Sequence, residues 1–322
     1  MDEKLDFRKS KISGNIRELG ILFAFALIIV FLMILSPAAF AKPTNLINIV
    51  KQASINGILA CGMMYVIISG GIDLSVGSTV ALAGVMAAHF SHPGTYPLIV
   101  PILIGIAVGA VVGLINGIGV SYGDIPPFII TLGTMTAVRG VSLIASGGAP
   151  VFNVSKPFEH LASGFLLGVP LLAVYFAGIV IVFAFVLTKT VFGRRVYTVG
   201  GNEMAAKVSG IDVKRIKLMV YTLTGVLAGF AGVLLASRTV SGSPTAGSGY
   251  ELDAIAAVII GGISMSGGAG KWYGTVIGSL MIAVIGNGLD ILGVSSNYQL
   301  VIKGAIIVIA VLIDIKSKAK SE

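Results

Sequence analysis

Apolar runs of about twenty residues recur along this chain, and they leave few folds open. A helix needs about twenty consecutive apolar residues to cross the ~30 Å hydrocarbon layer of a bilayer. Ten such runs can be marked, at residues 19–40, 54–71, 74–90, 97–119, 126–146, 165–188, 218–239, 251–267, 272–289 and 298–315. Only 11% of the 322 residues are charged and 56% are apolar, whereas soluble domains carry about 25% charged residues. A membrane β-barrel would show short strands of alternating polarity, and none are visible. The pattern predicts an all-α polytopic membrane protein with about ten transmembrane helices. A tail occupies 1–18, a single membrane domain 19–315 and a second tail 316–322. Ala39-Phe40-Ala41 resembles a signal-peptidase site, but the acids in the tail and the length of the first run predict that it is retained.

The net charge of +8 reads as a topology signal and not as a nucleic-acid footprint, because the cations gather in the tails and one loop. With ten spans, five Lys/Arg of the first tail, seven between 189 and 217, Lys271 and three in the last tail share one side. Lys42, Lys51, Lys156 and Arg238 take the other, while Arg139 and Lys303 fall within spans. This excess predicts that both termini and the 189–217 loop are cytoplasmic. Residues 147–164, with Lys156, Glu159 and His160, then form the largest external loop. The single cysteine, Cys61, lies in an apolar run and has no disulfide partner in the chain.

The stretch 193–217 is the one long hydrophilic interruption between apolar runs. A short helix is predicted within it, over 202–210. Asn202 suits the N-cap and Glu203 the first turn. Met204, Ala205 and Ala206 favour helix, and Ser209-Gly210 ends it with a left-handed stop. Such an element fits either a solvated connector or a docking handle for a soluble partner.

Polar residues at membrane depth mark the other candidates. Asp73 and Ser75 lie in Ser69-Gly-Gly-Ile-Asp-Leu-Ser-Val-Gly-Ser78, which predicts a broken or re-entrant helix pair. Such backbone is tolerated only inside protein or along a water-filled cavity. Asp73 is expected to cap the following helix, with a substrate contact as the alternative. A second irregular stretch, 241–253, is expected on the external side. It contains Thr245, Tyr250, Glu251 and Asp253, the acids reading first as helix-start residues and second as gate residues. Arg139 must face a cavity, a carboxylate or backbone carbonyls. Asn116-Gly117 and Asn287-Gly288 end similar apolar runs in the two halves, a hint of duplication. Gly105, Gly109 and Gly113, and Gly225, Gly229 and Gly232, have the spacing of close helix packing.

Several chemistries are excluded. A phosphate-binding loop ending at Gly270-Lys271 would need Gly at 265 and Ser or Thr at 272, where the chain has Met265 and Trp272. His89, His92 and His160 fall in external loops and form no cluster with Cys61 or the acids, so no metal is expected. No nucleophile-elbow serine motif is present, and no catalytic residue is expected.

Three blocks carry a family likeness: Ser69 to Ser78, quoted above; Gly200-Gly-Asn-Glu-Met-Ala-Ala-Lys-Val-Ser-Gly-Ile211; and Pro244-Thr-Ala-Gly-Ser-Gly-Tyr-Glu-Leu-Asp-Ala-Ile-Ala-Ala257. With Gly261-Gly262, Gly267-Gly268, Asn287-Gly288 and Leu292-Gly-Val-Ser-Ser296, they resemble the permeases of bacterial ribose and simple-sugar ABC importers, over nearly the whole chain from the first span onward. The resemblance implies a non-catalytic permease of the inner membrane, with D-ribose as the leading solute and xylose, galactosides or autoinducer-2 as alternatives. It implies a ten-span fold like the cobalamin-type (type II) importers, a permease homodimer, a separate ATPase subunit that uses ATP-Mg, and an extracytoplasmic sugar-binding protein. No cofactor would bind this chain itself. In such importers the loop between spans six and seven docks the ATPase, which corresponds here to 189–217 with 202–210 as the coupling helix. Two other classes compete. An ion-coupled secondary transporter would work without ATP through a paired acid and base, for which Asp73 and Arg139 are the candidates. A membrane enzyme would need a catalytic cluster.

Overall fold

The computed structural model describes residues 2–319, with side-chain surroundings for residues 19–312, 314 and 315. The tails expected at 1–18 and 316–322 therefore lie outside the residues whose side chains are described. Among the described residues the chain forms fourteen helices: α1 (Asp2–Leu35), α2 (Pro37–Phe40), α3 (Pro43–Ile68), α4 (Val76–His89), α5 (Ile99–Ser121), α6 (Pro127–Ser146), α7 (Lys156–Ser163), α8 (Leu171–Lys189), α9 (Val191–Gly201), α10 (Glu203–Val208), α11 (Val213–Thr239), α12 (Tyr250–Ile260), α13 (Trp272–Ile291) and α14 (Ser296–Ala319). A small hairpin, β1 (Phe165–Leu166) with β2 (Val169–Pro170), precedes α8.

The first apolar run holds the end of α1 and all of α2, and each of the other nine contains one helix. Among the described residues six, α3, α5, α6, α8, α11 and α13, are long and apolar enough to cross a membrane, and the chain is a multi-pass membrane protein. Shorter apolar helices run over Leu19–Leu35, Val76–His89 and Ser296–Leu312. The second run begins earlier than its hydropathy predicts, at Pro43, because Asn45, Asn48, Lys51 and Gln52 mask its first turns. Proline suits that first position, where its missing N–H has no partner to lose. The sixth run likewise gives its first residues to the β hairpin, so α8 starts at Leu171 and not at 165.

Burial sorts the helices into an axis and a periphery. In α3, 89% of the most apolar window is buried, against 17% in α6 and α8. Tyr65, Met63, Met64 and Ile67 of α3 and Tyr221 of α11 are among the fully enclosed side chains. Between helices in a bilayer, packing and not solvent exclusion drives association, and the glycines serve it as expected. On α5 and α11, a Cβ at Gly109 would overlap the Gly225 carbonyl, and one at Gly225 would overlap the Gly109 carbonyl. The two backbones therefore touch directly.

Two helices are too short to cross alone. At ~1.5 Å per residue, the fourteen residues of α4 and eleven of α12 fall well short of the ~30 Å layer. The predicted run 251–267 thus ends as helix at Ile260. The irregular segment 241–249 precedes α12. This segment runs along the side of α4: Gly242 packs on Ala88 and Val85, and Gly247 on Val80 and Gly77. Two residues without a side chain allow that approach. At its upper end Gly242 and Val151 exchange both backbone bonds, at 2.9 Å each.

The loop expected at 147–164 also contains a helix, α7. Its inward residues Phe158 and Ala162 are buried. Ser237 at the end of α11 fastens it, donating to the Phe158 carbonyl at 2.6 Å and accepting the Ala162 N–H at 3.0 Å.

Candidate functional site

The basic stretch is built more fully than its sequence suggests. Its first half, expected as loop, is the eleven-residue helix α9; its polar composition conceals a helix that Thr190 caps through the Gly193 N–H at 3.2 Å. Asn202 then serves two helices at once. Its N–H closes α9 on the Thr198 carbonyl at 3.1 Å, and its side chain accepts the Ala205 N–H at 2.9 Å to open α10. Gly210, at φ +77°, supplies the left-handed stop, with Ser209 and Gly210 returning their N–H groups to Ala205 and Lys207.

Within α10 the side chains divide by direction. Ala206 is buried against the body, while Ala205 and Ser209 face outward. Glu203, predicted as part of a docking surface, is engaged within the chain: it pairs with Lys217 of α11 at 2.6 Å and with Lys207 at 2.9 Å. The hydrogen bonds from Lys217 and then Lys207 hold its carboxylate below the usual range. The residues that project are Met204 and Val208, 69% and 83% exposed. Sequence reasoning named Met204 only as a helix former and did not name Val208, although their i, i+4 spacing puts two apolar side chains on one face of the helix.

A second group gathers at the breaks. Asp73 does not cap α4 directly: it lies two residues before the N-cap Ser75, accepting the Ser75 N–H at 2.9 Å and the Ser75 hydroxyl at 2.7 Å. Asn116 of α5 joins them, donating to Ser75 Oγ at 2.8 Å and lying 3.4 Å from Asp73 Oδ1. All three are at most 1% exposed. This knot ties the start of α4 to α5.

Arg139 meets its need through backbone carbonyls. Its Nη1 donates to the Pro244 and Ala246 carbonyls at 2.8 and 2.9 Å, which pins the irregular segment beside α6. Thr245 lies exposed between them, with its hydroxyl 3.2 Å from that of Ser243. Glu251 starts α12 as predicted: Oε1 accepts the Gly249 N–H at 3.2 Å, and Oε2 is buried without a hydrogen-bond partner against Gly77, where any Cβ would overlap it. Tyr250, at the first position of α12, packs on the main core.

The structure leaves the remaining candidates elsewhere. Asp253 pairs with Lys303 of α14 at 2.8 Å, giving the cation in that apolar run the partner it requires. Asn287 exchanges amide bonds with Asn45 of α3, at 2.7 and 3.0 Å. Asn116 and Asn287 therefore occupy unlike surroundings. Asp73 and Arg139 bind different segments and do not form an acid–base pair.

Residues 45–311 match the family described as "Branched-chain amino acid transport system / permease component". The chain is 46% identical to the ribose import permease protein RbsC of Bacillus subtilis (strain 168), over 98% of this chain and 99% of that one. It is 43% identical to the ribose import permease protein RbsC of Escherichia coli (strain K12), over 92% and 93% of the two chains. It is 39% identical to the D-allose transport system permease protein AlsC of the same organism, over 92% and 90%. No solved structure matches. A family match across most of the chain, with relatives collinear from end to end, means that the chain belongs to this family of transport-system permease components.

Proposed function

We propose that this chain forms the membrane pathway of an ATP-driven sugar importer whose solute is D-ribose. The near full-length identity to ribose import permeases carries the choice of solute, and xylose, galactosides and autoinducer-2 are the alternatives to compare. In this reading all ten apolar helices traverse or enter the membrane in a type II arrangement. Both termini and the 189–217 loop are cytoplasmic, in a bacterial inner membrane, and two copies of the chain form the pathway. A separate ATPase subunit uses ATP-Mg, and an external binding protein delivers sugar.

The geometric observation behind the ATPase contact is α10, a helix capped at both ends whose projecting residues are Met204 and Val208. ATP binding closes the ATPase pair and moves α10; that movement rocks the helices around the pathway. The Arg139-held segment with Thr245, Tyr250 and Glu251, and the Asp73–Ser75–Asn116 knot, are the proposed pathway and gate elements. Hydroxyls and amides suit a conduit, because they hydrogen-bond a sugar without holding it tightly.

Docking is tested by co-purifying the ATPase subunit with Met204→Asp and Val208→Asp variants. Each is expected to insert normally and to lose most of the bound ATPase. Full retention by the double variant would remove α10 from the contact. ATP-dependent uptake in proteoliposomes tests the transport reading itself.

A further inference from the structure

Three separate segments meet backbone to backbone at the root of α10. They are the exit from α3 (Ile68, Gly70), the end of α9 (Gly200, Gly201) and the α12–α13 connection (Gly267, Gly268, Gly270). Gly268 donates its N–H to the Ile68 carbonyl at 2.8 Å. A Cβ at Gly200 would overlap that same carbonyl. One at Gly267 would stand 2.7 Å from the Gly200 oxygen and 3.1 Å from the Gly70 Cα, and one at Gly268 would stand 2.5 Å from the Gly201 Cα. Gly267 and Gly268 also hold φ of +79° and +69°, a region that L side chains rarely enter. One turn back along α9, the Tyr197 hydroxyl donates to the Gly270 carbonyl at 2.8 Å.

The two breaks that meet here are built alike. After α3, Gly70 and Gly71 return their N–H groups to Ile67 and Val66, with Gly70 at φ +82°. After α12, Gly262 and Ile263 return theirs to Ile259 and Val258, with Gly262 at φ +87°. Beyond the first break lies the Asp73–Ser75–Asn116 knot. At the far end of α12 lie Tyr250 and Glu251.

Side chains absorb displacement by changing rotamer; backbone packed on backbone has no such freedom. The path from α10 is equally short of slack. Asn202 follows Gly201 directly and caps both α9 and α10, so a push on α10 reaches the end of α9 through a single shared residue. We infer that Tyr197, Gly200, Gly267 and Gly268 are positioning residues that deliver movement of α10 to both helix breaks at once. This rests on the reading of α10 as the ATPase contact.

The test uses the full complex of permease, ATPase and binding protein in proteoliposomes and reads ATP hydrolysed per sugar imported. Tyr197→Phe removes one hydrogen bond and keeps the ring, so the complex is expected to assemble while that ratio rises about 2- to 10-fold. Gly200→Ala is expected to raise it further. Gly178→Ala, in α8 and with nothing within 4 Å of the added Cβ, is expected to leave it unchanged. An unchanged ratio in both Tyr197→Phe and Gly200→Ala, with the unsubstituted complex active, would overturn the junction's role alone. No ATP-driven uptake by the unsubstituted complex would overturn the transport reading together with it.

Discussion

Asp253 and Lys303 show what a buried charge in an apolar run requires. Asp253 is 4% exposed at its side chain and Lys303 26%, so each depends on the other for most of its stabilisation. Removing one partner of a buried pair leaves an uncompensated charge, which costs about 3–5 kcal/mol, whereas replacing both is often neutral. Lys303→Met is therefore expected to lower the melting temperature of the detergent-purified chain markedly. The double variant Asp253→Asn with Lys303→Met is expected to recover most of that loss. Equal stability of Lys303→Met and the unsubstituted chain would show that the pair fastens nothing. Arg139 solves the same problem differently, spending its charge on two carbonyls of a segment that has left regular helix. Both residues join elements more than 45 positions apart in sequence, and spacing alone says nothing about which spans are neighbours.

Among the elements, α10 was the most legible in the sequence and α12 the least. Caps are local, so Asn202 and Gly210 announced the ends of α10 directly. The length of α12 was hidden because the apolar run continues past the helix, whose end is set by the turn at Gly261-Gly262, with Gly262 at φ +87°. The helix α9 was missed because hydropathy has little to say about a polar helix outside the spans. What fastens α10 was misjudged for a related reason: Glu203 and Lys217 are fourteen positions apart and meet only because α11 turns back. The Glu203 carboxylate is held below its ordinary pKa, so the sign is fixed: the contribution of its pairing is complete above the unfolded pKa of about 4.3. It is lost as pH falls through the depressed folded value. Because the side chain is 42% exposed, the energetic effect is small, and a local probe is the right one. Hydrogen exchange of α10 amides in the unsubstituted chain is expected to stay slow from neutral pH through pH 5 and to speed up in stronger acid, once corrected for intrinsic exchange. In Glu203→Gln it is expected to be fast throughout. Identical protection in the two proteins at pH 7 would contradict this anchoring.

For the whole molecule, the buried axis of α3 and α11 and the exposed faces of α6 and α8 describe a body with a fixed interior and a broad apolar periphery. The sequence conveyed the class because bilayer thickness imposes run length, and it conveyed a family through blocks at the two helix breaks and at α10. The meeting of Gly70, Gly200 and Gly267-Gly268 at one junction is a property of the fold that no single stretch of sequence displays. In the proposed function this body moves sugar inward only when an ATPase works on it. The most direct measurement is uptake of labelled D-ribose into proteoliposomes containing the permease, its ATPase and its binding protein, with xylose, a galactoside and autoinducer-2 compared alongside. The account predicts ribose uptake that requires all three proteins and ATP. Uptake by the permease alone, driven by an ion gradient and indifferent to ATP, would contradict it.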